Sequence, residues 1–190
     1  AGTVMVKDIN SGSSGSNPSE LTAVGSTLFF QAYDSTNHEA LWKSDGTTAG
    51  TVMVKDTYTL PMASSGMGPT SLTAVGNTLF FKGFDDEISG WELWKSDGTT
   101  AGTVLVKDIN PGYMGHSNPS ELTAIGSTLY FNADDGTTGY ELWKSNGTSS
   151  GTVMVKDIFS GSSSGNPTQL TAIGNTLYFR ATDGTNGAEL

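Results

Sequence analysis

Cysteine is absent from the 190 residues, which excludes a disulfide framework, thiolate-bound zinc and thiol chemistry. No apolar run approaches the ~18 residues of a membrane-spanning helix, so membrane insertion through a helix is not expected. Positive charge is scarce: Lys and Arg total 9 against 19 Asp and Glu, a net charge of −10. A chain without a basic cluster is a poor partner for nucleic acid or anionic lipid. Histidine occurs only twice, at His38 and His116. There is no G-x-S-x-G, no H-E-x-x-H and no phosphate-cradling glycine loop ahead of a helix. Carboxylate pairs are plentiful, but an acidic surface supplies them without catalysis. No catalytic residue is therefore nominated, and the expectation is a protein that is not an enzyme. Helical periodicity is missing throughout.

Glycine and repetition are present in excess. Gly accounts for 25 residues, about twice its usual share. The string GTVMVKDI at residues 2–9 returns at 50–57 and 102–109 with single changes and at 151–158 unchanged, at spacings of 48, 52 and 49 residues. LTAVGSTLFF at 21–30 returns at 72–81, 122–131 and 170–179. LWKSDGTTAG at 41–50 returns at 93–102 and 142–151, and the fourth copy stops at Glu189-Leu190. Such a period marks an array.

Each unit reads as four short strands. Leu-Thr-Ala-Val/Ile is joined by Gly-Ser or Gly-Asn, a two-residue hairpin turn, to Thr-Leu-Phe/Tyr-Phe. A polar loop leads to Glu-Leu-Trp-Lys-Ser, and Asp-Gly-Thr-Thr-Ala-Gly turns into Thr-Val-Met-Val-Lys-Asp-Ile. Four antiparallel strands per unit match a β-propeller blade, whose small sheet buries its faces only between neighbours. The expected fold is all-β, a propeller of four blades forming one domain over residues 1–190. Its blades are 21–57, 72–109, 122–158 and 170–190, the last completed by residues 3–9. Only seven consensus residues, Trp-Lys-Ser-Asp-Gly-Thr-Thr, separate the end from the start. They are absent here, or the window comes from a longer array. The alternative is half of an eight-bladed ring, with a homodimer completing it.

At Glu92 to Thr99 the chain reads Glu-Leu-Trp-Lys-Ser-Asp-Gly-Thr. With Asn146 for Asp, the same motif recurs from Glu141, and Ala40 replaces the glutamate in the first unit. These residues resemble the ELWxxDGT repeat family, hyalin-like bacterial proteins. The resemblance implies a propeller in a secreted or surface-attached bacterial protein, and no established activity. The turn is also similar to the structural Asp-box of sialidase-type propellers. Few Lys, no Cys and abundant Gly, Ser, Thr and Asn agree with an extracellular location.

What repeats serves the fold, and what differs between units is where function can lie. Trp42, Trp94 and Trp143 are either sugar-stacking aromatics or inter-blade core, and repetition favours core. Asp45, Asp97 and Asn146 are turn residues. Lys7, Lys55, Lys107 and Lys156 are expected to guard an exposed outer edge. The loops between second and third strands differ more, and strand alternation puts them on one rim with the inter-unit links. Candidate ligand residues there are Asp34, His38, Asp85, Trp91, Asp135, Tyr140 and Asp183. Carboxylates in Gly-bearing loops suit Ca²⁺, with Asp85, Asp86, Asp134 and Asp135 as ligands, although Asx-turn chemistry explains the same residues. No other cofactor is called for. The links at 59–67 and 113–116 depart most from Gly/Ser and mark a contact surface or an unconstrained loop.

Two functions are expected from these features. One is a non-enzymatic binding or adhesion module for a glycan or cell-surface protein, with one shallow site per blade as in tachylectin-type propellers. The other is a structural tile without a dedicated ligand.

Overall fold

The computed structural model describes residues 2–56, 68–85, 90–112 and 115–190. Among them there is no helix, and all regular structure is strand. Sheet 1 contains β1 (Ser19–Val24), β2 (Thr27–Asp34), β3 (His38–Ser44) and β4 (Val52–Lys55). Sheet 2 contains β5 (Thr70–Val75), β6 (Thr78–Asp85), β7 (Gly90–Ser96) and β8 (Val104–Lys107). Sheet 3 contains β9 (Ser120–Ile125), β10 (Thr128–Asp134), β11 (Tyr140–Ser145) and β12 (Val153–Lys156). Sheet 4 contains β13 (Thr168–Ile173), β14 (Thr176–Thr182) and β15 (Ala188–Glu189). Each sheet is antiparallel, with strands side by side in chain order.

The first turn of each unit follows from its glycine. Val24 pairs with Thr27, leaving Gly25-Ser26 as a two-residue loop in which Gly25 has φ 59° and Ser26 does not. Positive φ at the first central position alone fits the type II′ hairpin. The third-to-fourth turn is held by side chains. The Thr47 N–H and hydroxyl donate to Asp45 Oδ1 at 2.9 and 2.7 Å, and Gly50 N–H donates to Thr47 Oγ1 at 2.9 Å. Asp97 and Asn146 repeat the pattern, so the turn role expected of these residues holds.

Strand alternation gives every sheet two apolar faces. Val24, Phe29, Leu41 and Val54 of sheet 1 form one cluster with Leu72, Leu79, Phe81 and Trp94 of sheet 2. Val75, Phe80, Leu93 and Val106 of sheet 2 form the next with Leu129, Phe131, Ala133 and Trp143 of sheet 3. Of each Phe-Phe pair, then, the first side chain faces the following sheet and the second faces the preceding one. The repeated Trp packs backwards, and Trp42, Trp94 and Trp143 are only 5–6 % exposed. They are core, as their repetition suggests.

Polar contacts run across the same joints. Lys55 Nζ donates to the Thr103 carbonyl at 3.1 Å and lies 5.2 Å from the Trp94 ring centre. Lys107 does the same to Thr152 and Trp143 at 3.0 and 5.6 Å, and Lys7 to Thr51 and Trp42 at 2.7 and 5.9 Å. These lysines were expected to guard an edge. Instead Lys55 and Lys107 bridge sheets and Lys7 ties residues 3–9 to sheet 1, because the following sheet offers a carbonyl and an indole face within reach of the stem. Lys43 and Lys95 reach the turn carbonyls of Gly98 and Gly147, each at 2.7 Å. At the first strands of the sheets, Thr22 Oγ1 donates to Leu72 O and Thr123 Oγ1 to Leu170 O, at 3.1 and 3.2 Å.

Residues 3–9 do not complete sheet 4, which has three strands. They lie against sheet 1: Thr48 Oγ1 donates to Val6 O at 2.7 Å, as Thr100 does to Val54 O, and Ile9 packs on the Phe30–Trp42 cluster. The reason lies in the register. A fourth strand pairs opposite Leu41, Trp42 and Lys43 in sheet 1, and of these positions sheet 4 has only Leu190.

The joint yields a test. Lys107→Met keeps the stem and removes the ammonium, and should cost about 1–2 kcal/mol. Trp143→Ala empties the same joint and should cost about 3–5 kcal/mol. Urea unfolding followed by fluorescence of the remaining tryptophans measures both. Equal stabilities for Lys107→Met and the parent chain would show that the bridge contributes nothing.

Candidate functional site

The links and the second-to-third-strand loops do share one rim. The links between sheets 2 and 3 and between sheets 3 and 4 are bonded to the sheets on both sides. Asn118 N–H donates to Trp91 O in sheet 2 at 3.1 Å, and Ser117 O accepts from Asp134 N–H in sheet 3 at 3.0 Å. Asn166 and Gly165 bond Tyr140 O and Thr182 N–H in the same way, at 3.0 and 2.9 Å.

The acidic candidates cap their own loops. Asp34 is buried, and its Oδ1 accepts from the N–H groups of Thr36 and Asn37, both at 2.7 Å. Burial works to raise its pKa, but the hydrogen bonds from Asn37 and Thr36, with His38 nearby, outweigh it and hold the carboxyl below its ordinary value. Asp135 accepts from the N–H groups of Thr137 and Thr138 at 2.9 and 2.8 Å, and from both hydroxyls. Desolvation is again outweighed by the Thr138 and Thr137 bonds, and its pKa is lowered. Asp183 accepts from Thr185 and Asn186, and the backbone bond from Asn186 leads in lowering its pKa. The three occupy equivalent Asx turns. None of these bonds joins candidates of different sheets.

The calcium candidates fare similarly. Asp134 Oδ1 accepts from Gly136 N–H at 2.7 Å, so Asp134 and Asp135 both cap one loop. Asp86 and the side chain of Asp85 lie outside the described residues, as do the link at 57–67 and residues 113–114. Among the described residues no three His, Cys, Asp or Glu side chains gather in a way that holds a metal ion.

The remaining candidates are His38, Trp91 and Tyr140. His38 stands opposite Asp34 in the β2–β3 ladder, with φ 57° and its ring edge-on to Tyr33 at 6.2 Å. Trp91 sits in a cluster that sequence reasoning did not assemble. Its ring meets Phe84 edge-on at 5.3 Å, and Lys82 Nζ lies 4.8 Å from its centre. Lys82 also donates to Asn118 Oδ1 at 3.0 Å, and its burial lowers its pKa. The Trp91 N–H donates to His116 Nδ1 at 3.0 Å. One sheet on, the Tyr140 N–H donates to Ser164 Oγ, also at 3.0 Å. His116 and Ser164 therefore do the same work with different side chains.

The glutamate of Glu-Leu-Trp was not nominated, and it is a buried acceptor that ties the strand to the link beyond it. Glu92 is fully buried and accepts from Ser117 Oγ at 2.6 Å, Ser117 N–H at 2.9 Å and Ile109 N–H at 3.0 Å. Glu141 accepts from Ile158, Phe159 and Gly165 N–H groups in the same way. The signal in the sequence was its recurrence ahead of Leu-Trp. Burial pushes the Glu92 carboxyl up to about 7, against the hydrogen bonds from Ser117 and Ile109, and Asp108 adds to the rise.

On the opposite rim a cleft of about 590 Å³ opens between sheets 2 and 3, lined by Thr78, Phe80, Lys95, Asp97 and Asn146 among others. Lys95, Asp97 and Asn146 are already engaged with the turns there. No protein-family model matches the chain, and no curated protein does either.

A pH dependence follows from Glu92. Its unfolded pKa of 4.5 lies below the folded value of about 7, so between them the folded state holds a proton that the unfolded chain releases. This contribution is complete below about pH 4.5 and is lost as pH rises through about 7. The melting temperature of the parent chain should therefore fall from about pH 5 to about pH 7 relative to that of Glu92→Gln. Parallel melting curves across this window would refute the assignment.

Proposed function

We propose that the four sheets are blades of a β-propeller-type array and that the chain is a non-enzymatic structural tile. One observation carries this reading. Asp34, Asp135 and Asp183, nominated for ligand binding, are engaged in their own loops, while the same sheet-to-sheet joint recurs along the chain. Lys, Trp, Thr and the buried Glu all serve that joint, and none converges with the others on an open pocket. The resemblance to ELWxxDGT repeats supports the same reading and suggests an extracellular bacterial setting.

A second reading has a specific observation in its favour. The Lys82–Trp91–Phe84–His116 cluster is peculiar to sheet 2 among the described residues, with Lys82, Trp91 and His116 half-buried beside a buried Phe84. A half-open indole beside a lysine and an asparagine suits a glycan, and this reading makes the chain a binding or adhesion module for a glycan or a glycan-bearing cell-surface protein.

Amide-resolved NMR separates the two. For a tile, titration with neutral and acidic mono- and disaccharides, and with Ca²⁺, leaves the Lys82, Trp91 and Asn118 signals unmoved. Trp91→Ala then costs about 1–2 kcal/mol through the lost Phe84 and Lys82 contacts. Saturable saccharide-induced shifts at these residues, removed by Trp91→Ala, would establish the glycan reading instead.

A further inference from the structure

Asn-Gly occurs twice in the chain, at Asn146-Gly147 and Asn186-Gly187. The dipeptide carries a reaction of its own: the glycine nitrogen attacks the asparagine Cγ, with no side chain to hinder it. The two copies are held differently. Asn146 takes the turn position of Asp45 and Asp97, and its Oδ1 accepts from the Thr148 N–H and hydroxyl at 3.0 and 2.7 Å. Gly147 is buried and bonded at both ends of its backbone. Its N–H donates to Ser145 Oγ at 3.0 Å, and its carbonyl accepts from Lys95 Nζ at 2.7 Å. Asn186 and Gly187 are both exposed. The Asn186 N–H and Nδ2 donate to Asp183 Oδ1 and Oδ2, each at 2.8 Å. Among the described residues no backbone acceptor is bonded to the Gly187 N–H. The loop does not owe this geometry to the three-stranded sheet that carries it. In the complete sheet 1, Asn37 donates in the same way to Asp34 Oδ1 and Oδ2, at 2.7 and 2.9 Å, and His38 follows it instead of glycine.

We propose that Asn186-Gly187 is a site of spontaneous deamidation, and that the turn closes Asn146-Gly147 to the same reaction. Water and its hydroxide are the only co-reactants. Hydroxide takes the proton of the Gly187 N–H, and the nitrogen attacks Asn186 Cγ. The new N–Cγ bond closes a succinimide, and the Cγ–Nδ2 bond breaks as ammonia leaves with a proton from water. Water then opens the ring at either carbonyl, giving aspartate or isoaspartate. Nothing is oxidised or reduced. At Asn146 the attacking N–H is already donated to Ser145 Oγ, in a buried position that hydroxide does not reach, and Thr148 fixes the amide oxygen. At Asn186 the competing bonds lie in solvent, where water replaces them at little cost. The product puts a carboxylate beside Asp183 and removes the Nδ2 donor that Asp183 holds. The loop of sheet 4 is loosened by like charge, and the chain becomes one charge more negative than −10.

The whole chain is incubated at mildly alkaline pH and then digested with trypsin. Cleavage after Lys144, Lys156 and Arg180 isolates residues 145–156 and 181–190, each with one asparagine. Mass spectrometry reads the conversion of amide to acid in each peptide. Conversion at Asn186 should be at least about tenfold faster than at Asn146, with aspartate and isoaspartate both formed. In guanidinium chloride the folded bonds are gone, and the two rates should converge. Equal rates in the folded chain, or no conversion at Asn186, overturn the proposal. A ratio that persists in the unfolded chain also overturns it, since sequence context and not the turn would then set the difference. Gly187→His copies the residue that follows Asn37, and a β-carbon at Gly187 meets nothing within 4 Å. His38 itself takes φ 57°, so the fold should persist, checked by its melting curve. The variant should stop conversion at Asn186, and conversion at the parent rate would exclude attack by this nitrogen. Ser145→Ala, assayed below its melting temperature, frees the Gly147 N–H and should speed conversion at Asn146. An unchanged rate there refutes the protection assigned to the turn.

Discussion

A four-stranded sheet with two apolar faces cannot stand alone in water, and everything else in this molecule answers to that constraint. Sheet 1 presents Phe29 forwards and Phe30 backwards, and sheet 2 presents Phe80 and Phe81 in the same way. A sheet so patterned must be covered twice. The stack is the cheapest arrangement available to a repeat, since each unit's forward face is shaped for the backward face of its neighbour. The backward Trp fills the joint, and small Thr and Ala residues stand on the first strand of each sheet, where neighbouring sheets meet.

The polar residues complete joints that the apolar ones begin. A carbonyl exposed at the start of each outer strand would be left beside an indole without a partner. The lysine of the preceding unit supplies a donor and a cation to the ring at once. On the far rim the link between sheets has several backbone N–H groups and little side chain. The buried glutamate gathers three donors there, which is why burying a carboxyl is tolerated at all. The first unit has Ala40 at this position, and the link that follows has the longest and most apolar sequence of the four.

Strand order, turns and the inter-sheet role of the tryptophans were legible because each rests on local pattern: alternation, Gly at a hairpin, an aromatic in register. The direction of a long side chain was not. Lys55 reads as a solvated edge charge until the next sheet is placed over it. The inner-strand bulge was also hidden. Glu20, Ser71, Glu121 and Gln169 share φ values of 56–58°, yet no glycine or asparagine marks the position. Tertiary pairing imposes that backbone, since the bulge lets Glu20 and Glu121 reach the N–H groups of Leu72 and Leu170. Nor does a period of about 49 residues state the angle between neighbouring sheets, so the placement of residues 3–9 could not be read from it.

The departures from the repeat bear on whether this rim is a site. A ligand site is expected to change the bonds of its scaffold, because it must free polar groups for the ligand. Sheet 2 changes the side chains and keeps the bonds. His116 accepts from the Trp91 N–H where Ser164 accepts from the Tyr140 N–H, at the same 3.0 Å. Asn118 and Asn166 bond the carbonyls of Trp91 and Tyr140 alike. Gly90, with φ 72°, has His116 where a β-carbon would stand, and Gly139, with φ 73°, has Ser164 there, so the open position on the strand is common to both sheets. A cluster built on bonds shared with the next sheet preserves the joint first. Any ligand would have to use what remains outside it, chiefly the open part of the Trp91 ring and the Lys82 ammonium that lies over it.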